Sequence, residues 1–364
     1  MLLPASGGLP LRPTAPRNPS LTLCHRTQNQ THKQHMEEKM LTRRSLTKTV
    51  VAGLAAAILA GSAHAADMTL KLGHLANEDN IWHKATIKFG EELKALTDGR
   101  IEVEVYPNES LGKEMDLING MQLGTADMTI SGESLQNWAP MASLLGIPYA
   151  FKSLEHMDEV INGDIGDQIE ADIIAKAKVR PIAYFARGPR NLTSNREIRS
   201  PDDLNGLKLR VPNVPLFVDV WKALGASPTP MAFSEVFTSL QNGTIDAQEN
   251  PLALIKSANF NEVQKFVNLT EHSRSWIYLV ISELTWNKLS DADKEAVLEA
   301  AERAQAFERA AFLEDEKQLV TELQEKGMTF VETDKAAFAA KAKDAVLMNV
   351  KPEIKGIVED LFSN

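Results

Sequence analysis

Cysteine is all but missing from this chain: Cys24 is the only one in 364 residues, and by the reading below it falls outside the mature protein. That leaves no disulfide, no thiol nucleophile and no lipid-modified cysteine. The histidines beyond residue 65, His74, His83, His156 and His272, show no metal-ligand spacing, so neither a metal nor a cofactor is expected. Neither common type of phosphate-cradling glycine loop is present, and neither is a G-x-S-x-G nucleophile elbow; both absences argue against an enzyme. Long apolar runs are missing as well. The run at 50–61 falls short of the roughly 20 residues a membrane-spanning helix needs, and no other segment comes close.

That short run reads as the middle of an export signal. Arg43, Arg44 and Lys48 precede it, and Ser62-Ala63-His64-Ala65 follows as an A-x-A cleavage site. Residues 40–65 are therefore expected to be a cleaved signal peptide that delivers the chain to the periplasm, and the Arg43-Arg44 pair leaves open the choice between general secretion and the twin-arginine route. Residues 1–39 are rich in Pro, Gln, Asn, Thr and His without apolar periodicity, and read as an unstructured extension or a misassigned start. Residues 1–65 hold eight of the 39 Lys/Arg and two of the 49 Asp/Glu, so the remainder carries a net charge of −16. Such an acidic surface speaks against nucleic acid and anionic membranes as partners. An anionic ligand would have to be met by local basic groups.

About 299 residues remain, more than one core usually fills, so two domains are expected. The first hundred alternate strand and helix: a strand at 68–73, a helix at 81–96, a strand at 101–106 ended by Pro107, a helix at 113–123 and a strand at 126–130. The order β-α-β-α-β predicts parallel pairing with helical crossovers. It returns at 207–211, 215–224, 226–229, 234–241 and 245–248, and a hexapeptide returns with it: Gln122-Leu-Gly124-Thr125-Ala-Asp127 against Gln241-Asn-Gly243-Thr244-Ile-Asp246. Two similar α/β lobes account for the repetition. Helices at 154–162 and 165–178 and a strand at 181–186 join them, and a strand follows at 276–282. Residues 291–326 contain no Pro or Gly and read as one helix about 50 Å long, enough to lie across both lobes.

In open parallel sheets, ligands bind beyond the carboxyl ends of the strands. In the first lobe this selects His74 to Asn77, Asn108 and Glu109, and Ser131 and Glu133. In the second it selects Arg210 to Asn213, Met231 and Phe233, and Gln248 to Asn250. Arg210 stands out: alternation puts it opposite Leu209 and Val211, at a strand end, and a planar guanidinium grips a carboxylate through two parallel hydrogen bonds. A solvated strand charge is the plain alternative. Arg190 is a weaker case, Phe233 suits a core as well as a pocket, and Asn250 before Pro251 suits a helix cap.

Several runs carry a family resemblance: Arg190-Asn-Leu-Thr-Ser-Asn195-Arg196, Gly206-Leu-Lys-Leu-Arg210-Val-Pro-Asn213, Gly225-Ala-Ser-Pro-Thr-Pro230-Met231-Ala-Phe233-Ser-Glu235 and Asp246-Ala-Gln-Glu249-Asn250-Pro251. Over 67–364 the chain resembles the substrate-binding proteins of TRAP (tripartite ATP-independent periplasmic) transporters. The resemblance implies an α/β, two-lobed periplasmic-binding fold, type II-like, with a long helix bridging both lobes. The lobes are expected at 67–187 plus 276–315 and at 188–275 plus 316–364. It also implies a carboxylate anchored by Arg210 and completed by Arg190 and Asn250. Asn213 and Phe233 would line the pocket from one lobe, and Glu133, His74 and Asn77 from the other. The expected partners are a small organic acid anion and the membrane permease, with the receptor a monomer. The polar first-lobe wall points to a sugar acid, a hexuronate or aldonate. A C4-dicarboxylate, a sialic or keto acid, and a sensor-coupled binding protein are the alternatives. A dicarboxylate would want a second cationic clamp, for which the first lobe offers Lys113.

Overall fold

The computed structural model describes residues 66–363; the expected signal peptide at 40–65, the expected extension at 1–39 and Cys24 lie outside them. Strands β1 (Met68–Gly73), β2 (Ile101–Tyr106), β3 (Met128–Ser131) and β4 (Val179–Phe185) come first. Next are β5 (Arg190–Ser194), β6 (Lys208–Val211), β7 (Ser227–Pro230), β8 (Ala247–Pro251) and β9 (Phe266–Ser273), then β10 (Ile277–Ser282) and β11 (Thr329–Val331). The helices are α1 (Ile81–Leu96), α2 (Glu114–Leu123), α3 (Leu154–Ile161), α4 (Asp164–Asp172), α5 (Pro215–Leu224) and α6 (Val236–Gln241). After these come α7 (Leu252–Ser257), α8 (Glu283–Trp286), α9 (Asp291–Glu325), α10 (Lys335–Asn349) and α11 (Lys355–Ser363).

The strands form two sheets, ordered β2-β1-β3-β10-β4 and β11-β9-β5-β8-β6-β7. In the first, β1 pairs in parallel with β2 and β3; in the second, β6 pairs in parallel with β7 and β8. Each sheet is therefore built around the repeated β-α-β-α-β unit, with β10 and β5 running antiparallel to their neighbours. The chain passes from one sheet to the other at 186–189 and returns at 274–276.

The repeated hexapeptide has the same task in both units. Gly124 and Gly243 stop α2 and α6 with φ of 81° and 69°, a left-handed turn that suits a residue without Cβ. Three residues on, the Asp127 carboxylate accepts from the backbone N–H of Lys71 (2.9 Å), and Asp246 does the same for Lys208 (3.0 Å). Each repeat thus ends a helix and ties the next strand to its parallel partner.

Helix α9 starts on the Ser290 cap, whose hydroxyl accepts from the Asp293 N–H, and runs 35 residues. Near its start Val297, Ala300, Ala301 and Ala304 pack with Trp82, Phe89 and Leu93 of α1. Near its end Leu319 and Leu323 pack with Val236, Leu240 and Phe260 of the second unit. One helix therefore enters the cores beside both sheets, as its length predicts. Where a helix was expected at 165–178, the structure has α4 and then a π-turn, Ile173–Ala177, ended by Lys178 at φ 58°. The helix expected at 234–241 begins as a 3-10 turn, Phe233–Glu235. The strand expected at 245–248 starts later and runs through Pro251, so Asn250 belongs to a strand and caps no helix.

Helix α9 also sets two carboxyls, one buried and one half-buried, against the first crossing. Glu308 is fully buried: one oxygen accepts the Ala186 N–H (2.9 Å), and the other has no hydrogen-bond partner among the described residues. Glu316 lies against Gly188, where a Cβ would stand only 2.6 Å from its Oε1. Burial pushes Glu308 up to about 8, against the pull of the Ala186 N–H and Arg309, and pushes Glu316 up to about 7. The folded chain therefore keeps Glu308 protonated where the unfolded chain ionises. Stability on this account is full below about 4.5 and falls as pH rises to about 8. Glu308→Gln is expected to flatten that fall, which thermal unfolding midpoints measured from pH 5 to pH 8 will read. A variant with the same slope as the parent would show that Glu308 does not carry it.

Candidate functional site

A cavity of about 370 Å³ opens where the carboxyl ends of β6, β7 and β8 face the loops after β1 and β2 and the start of α2. Arg210 stands on its wall and is 3% exposed. Nε and Nη2 of its guanidinium both donate to the Met231 carbonyl, at 3.1 and 2.7 Å, and the Phe233 ring lies 5.9 Å from the guanidinium carbon. The side edge of the group is therefore fixed by backbone. No acidic side chain forms an ion pair with Arg210 among the described residues. Its end, Nη1 with the second Nη2 proton, makes no hydrogen bond among the described residues. Burial lowers the guanidinium to about 10, with Glu249 pulling the other way, so it stays charged at neutral pH.

Arg190 lines the same cavity but is already engaged. It grips Glu249 side-on, Nε to Oε2 at 2.5 Å and Nη2 to Oε1 at 2.8 Å, and Nη2 also reaches Asn250 Oδ1 at 3.2 Å. Burial alone would raise the Glu249 carboxyl, but the charge and hydrogen bonds of Arg190 and the bond to His272 hold it at about 2. Burial lowers His272, against the pull of Glu249, and so keeps the imidazole neutral at neutral pH. A neutral ring donating from Nε2 to Glu249 (2.9 Å) accepts at Nδ1 from the Thr270 hydroxyl (2.9 Å), which satisfies both nitrogens. The amide of Asn250 donates to Gln248 Oε1 at 2.6 Å. Arg190, Asn250 and their partners thus form a buried, hydrogen-bonded floor beside Arg210.

Asn213 and Phe233 stand on the cavity wall too. The structure brings Arg210, Arg190, Asn250, Asn213 and Phe233 together and leaves Glu133, His74 and Asn77 off that wall. Glu133 is buried in an ion pair with Arg187, and the Ser275 hydroxyl donates to it at 3.0 Å. His74 is 1% exposed and contacts His83 (Nε2 to Nδ1, 3.2 Å); burial, then His83, lowers it to about 4. Asn77 donates to the Ser257 carbonyl at 2.6 Å and lines a neighbouring cavity.

Sequence reasoning passed over Glu114, at the first turn of α2. It lines the cavity and accepts from Ser131 Oγ (2.6 Å) and Ser134 Oγ (3.1 Å). Burial raises its pKa against those hydrogen bonds. Its position at a helix start, not at a strand end, kept it off the short list. Lys113 beside it pairs with Glu235 across the cavity, and Glu109 accepts from the Ser234 N–H at 3.1 Å. Asn108 and Glu109 turn there through the left-handed region, at φ 57° and 56°, which aims Glu109 at the cavity.

The model of the bacterial extracellular solute-binding proteins, family 7, matches residues 72–350. A solute-binding protein of Roseobacter denitrificans is 71% identical over 320 residues, 86% of this chain and 98% of that protein. The crystal structure of a TRAP periplasmic solute binding protein from Roseobacter denitrificans, with bound L-galactonate, superposes with a TM-score of 0.81 at 73% identity, covering 82% of this chain and 99% of that one. A TRAP periplasmic solute binding protein from Chromohalobacter salexigens, with bound D-glucuronate, gives 0.76 at 30% identity, covering 81% and 99%. The two-lobed α/β architecture with its bridging helix is the architecture of these proteins.

Proposed function

Because the chain belongs to family 7 of the bacterial extracellular solute-binding proteins, the receptors of TRAP transporters, we propose that it captures a sugar acid in the periplasm and hands it to a membrane permease. The observation that carries the reading is the unengaged end of the Arg210 guanidinium on the cavity wall. A carboxylate closed into a dry cleft would be costly without a partner, and an end-on guanidinium pair answers that cost. This is how a chain of net charge −16 beyond residue 65 can hold an anion.

In this reading Arg210 anchors the carboxylate, and Arg190 and Asn250, fixed by Glu249, shape the floor that receives it. Asn213 and Phe233 line one wall. Glu114 faces the hydroxyls, since a half-buried carboxyl with two hydroxyl donors has lone pairs left for more. Glu133 and His74 act from behind, by holding the loops, and Asn77 lines the neighbouring cavity. Lys113 is neutralised by Glu235, so a second carboxylate finds no free cation there, which favours a sugar acid over a C4-dicarboxylate. The L-galactonate and D-glucuronate bound by the two similar receptors support the same class. The lobes, 67–187 plus 276–315 and 188–275 plus 316–364, would hinge at the two strand crossings and within α9, with a ligand that touches both biasing closure.

Calorimetric titration of the purified protein with hexonates, hexuronates, succinate and malate tests the reading. A hexonate or hexuronate is expected to bind at least a hundredfold more tightly than either dicarboxylate. Preference for succinate or malate would overturn it.

A further inference from the structure

A second cavity, of about 320 Å³, adjoins the first and shares Leu75 and Phe233 with it. Its chemistry is different. The first is ringed by charge, Arg210, Arg190, Glu109, Glu114, Lys113 and Glu235 among its lining residues, whereas no charged residue lines the second. There three aromatic rings meet: Phe233 stacks edge-on against Phe260, with centroids 5.9 Å apart, and Phe237 completes the wall. Facing them are the amides of Asn77 and Asn108 and the Ser257 hydroxyl. The Asn77 amide is oriented by its donation to the Ser257 carbonyl, which leaves its Oδ1 buried and without a hydrogen-bond partner among the described residues.

Aromatic rings beside amide side chains, one of them with an unpartnered oxygen, and with no charged residue in the lining, match a neutral pyranose ring, whose C–H face packs on the rings while its hydroxyls take the polar edge. Leu75 and Phe233 line both cavities, and the hydrogen bond between Glu109 of the first and Ser234 of the second joins their walls. Phe233 itself has the Arg210 guanidinium near its ring and Phe260 against its edge. A ligand anchored by its carboxylate at Arg210 and passing over Phe233 would place its far end in the second cavity. We infer that the protein accepts glycosylated sugar acids, with the acid unit in the first cavity and a neutral sugar unit in the second.

The inference rests on the sugar-acid reading of the first cavity, and the test separates the two. Gluconate and lactobionate, which is gluconate carrying a galactosyl group on O4, are titrated into the full protein and into Phe237→Ala, with L-galactonate as a reference. Lactobionate is expected to bind the parent at least as tightly as gluconate. Phe237→Ala is expected to weaken lactobionate about tenfold and leave gluconate within twofold. Lactobionate binding more than tenfold weaker than gluconate, or equal losses for both acids in the variant, overturns the second subsite. So does binding of L-galactonate with neither gluconate nor lactobionate, a result that leaves the first cavity's reading standing. Failure of all three acids overturns both.

Discussion

Arg210→Ala is expected to weaken binding of the cognate sugar acid at least tenfold, and by up to about a hundredfold, while the fold survives. A charge-assisted pair of hydrogen bonds to a carboxylate is worth on the order of 1.5–3 kcal/mol. The fold survives because the side chain hydrogen-bonds only one group among the described residues, the Met231 carbonyl, and forms no ion pair there. Arg210→Lys is expected to lose most of the same affinity. An ammonium is a point charge that cannot hold the Met231 carbonyl with one edge and present two parallel donors with the other. Calorimetry on both variants, with circular dichroism as the control for folding, reads the result. Unchanged affinity in a folded Arg210→Ala protein would remove the residue from the site.

Glu249→Gln is expected to cost stability outright. Glu249 is 0% exposed and is the counter-ion of Arg190, itself 4% exposed. Removing one partner of such a pair leaves a buried charge uncompensated, at about 3–5 kcal/mol. That corresponds to a thermal midpoint lower by roughly 10 °C for a chain of this size. Acid acts on the same pair. Since the folded-state carboxyl sits at about 2 against an ordinary 4.5, its contribution is present above 4.5 and is lost as pH falls towards 2. The variant should therefore lose part of the parent's acid sensitivity as well as stability. Replacing both residues together, Arg190→Met with Glu249→Leu, is expected to cost less than Glu249→Gln alone, because no charge is stranded. A Glu249→Gln protein as stable as its parent would show that Arg190 finds another partner.

The parts of this fold that were legible are those where side chains obey a period. Trp82, Ala85, Phe89 and Leu93 mark α1 at helical spacing, and all four are buried. The duplicated hexapeptide disclosed the two units because its Gly and Asp each have a local geometric task. Besides the three-residue β11, the unread strands are polar ones. In β5, Arg190 to Ser194, every residue is buried, yet only Leu192 is apolar. In β9 the Asn268 side chain is buried by bonding the Ile198 N–H, the Leu192 carbonyl and the Ser194 hydroxyl. Strands whose interior is satisfied by hydrogen bonds show no alternation of apolar and polar residues, so periodicity is blind to them.

The site was legible to the same degree and for a related reason. The strand-end rule reached Arg210, Asn213, Met231, Phe233, Asn250 and Glu109, all on the cavity wall. It cannot say which strand-end residues are already paired. His74 and Glu133 stand at strand ends and are engaged behind the wall, by His83 and by Arg187. Nor does it reach a helix start, which is where Glu114 enters. Those assignments depend on distances across the chain, Glu133 to Arg187 or Glu114 to Ser131, that no local pattern encodes.

The measurement that bears most directly on receptor function is recovery of the ligand. A transport receptor binds the ground state and releases it unchanged, whereas catalysis needs tighter binding of a transition state. The purified protein, saturated with the sugar acid that calorimetry finds to bind, freed of excess ligand and then denatured, is expected to return one mole of that acid intact per mole of chain by mass spectrometry, however long the incubation. Absence of bound sugar acid, or a product that accumulates with time, would contradict a receptor built around Arg210.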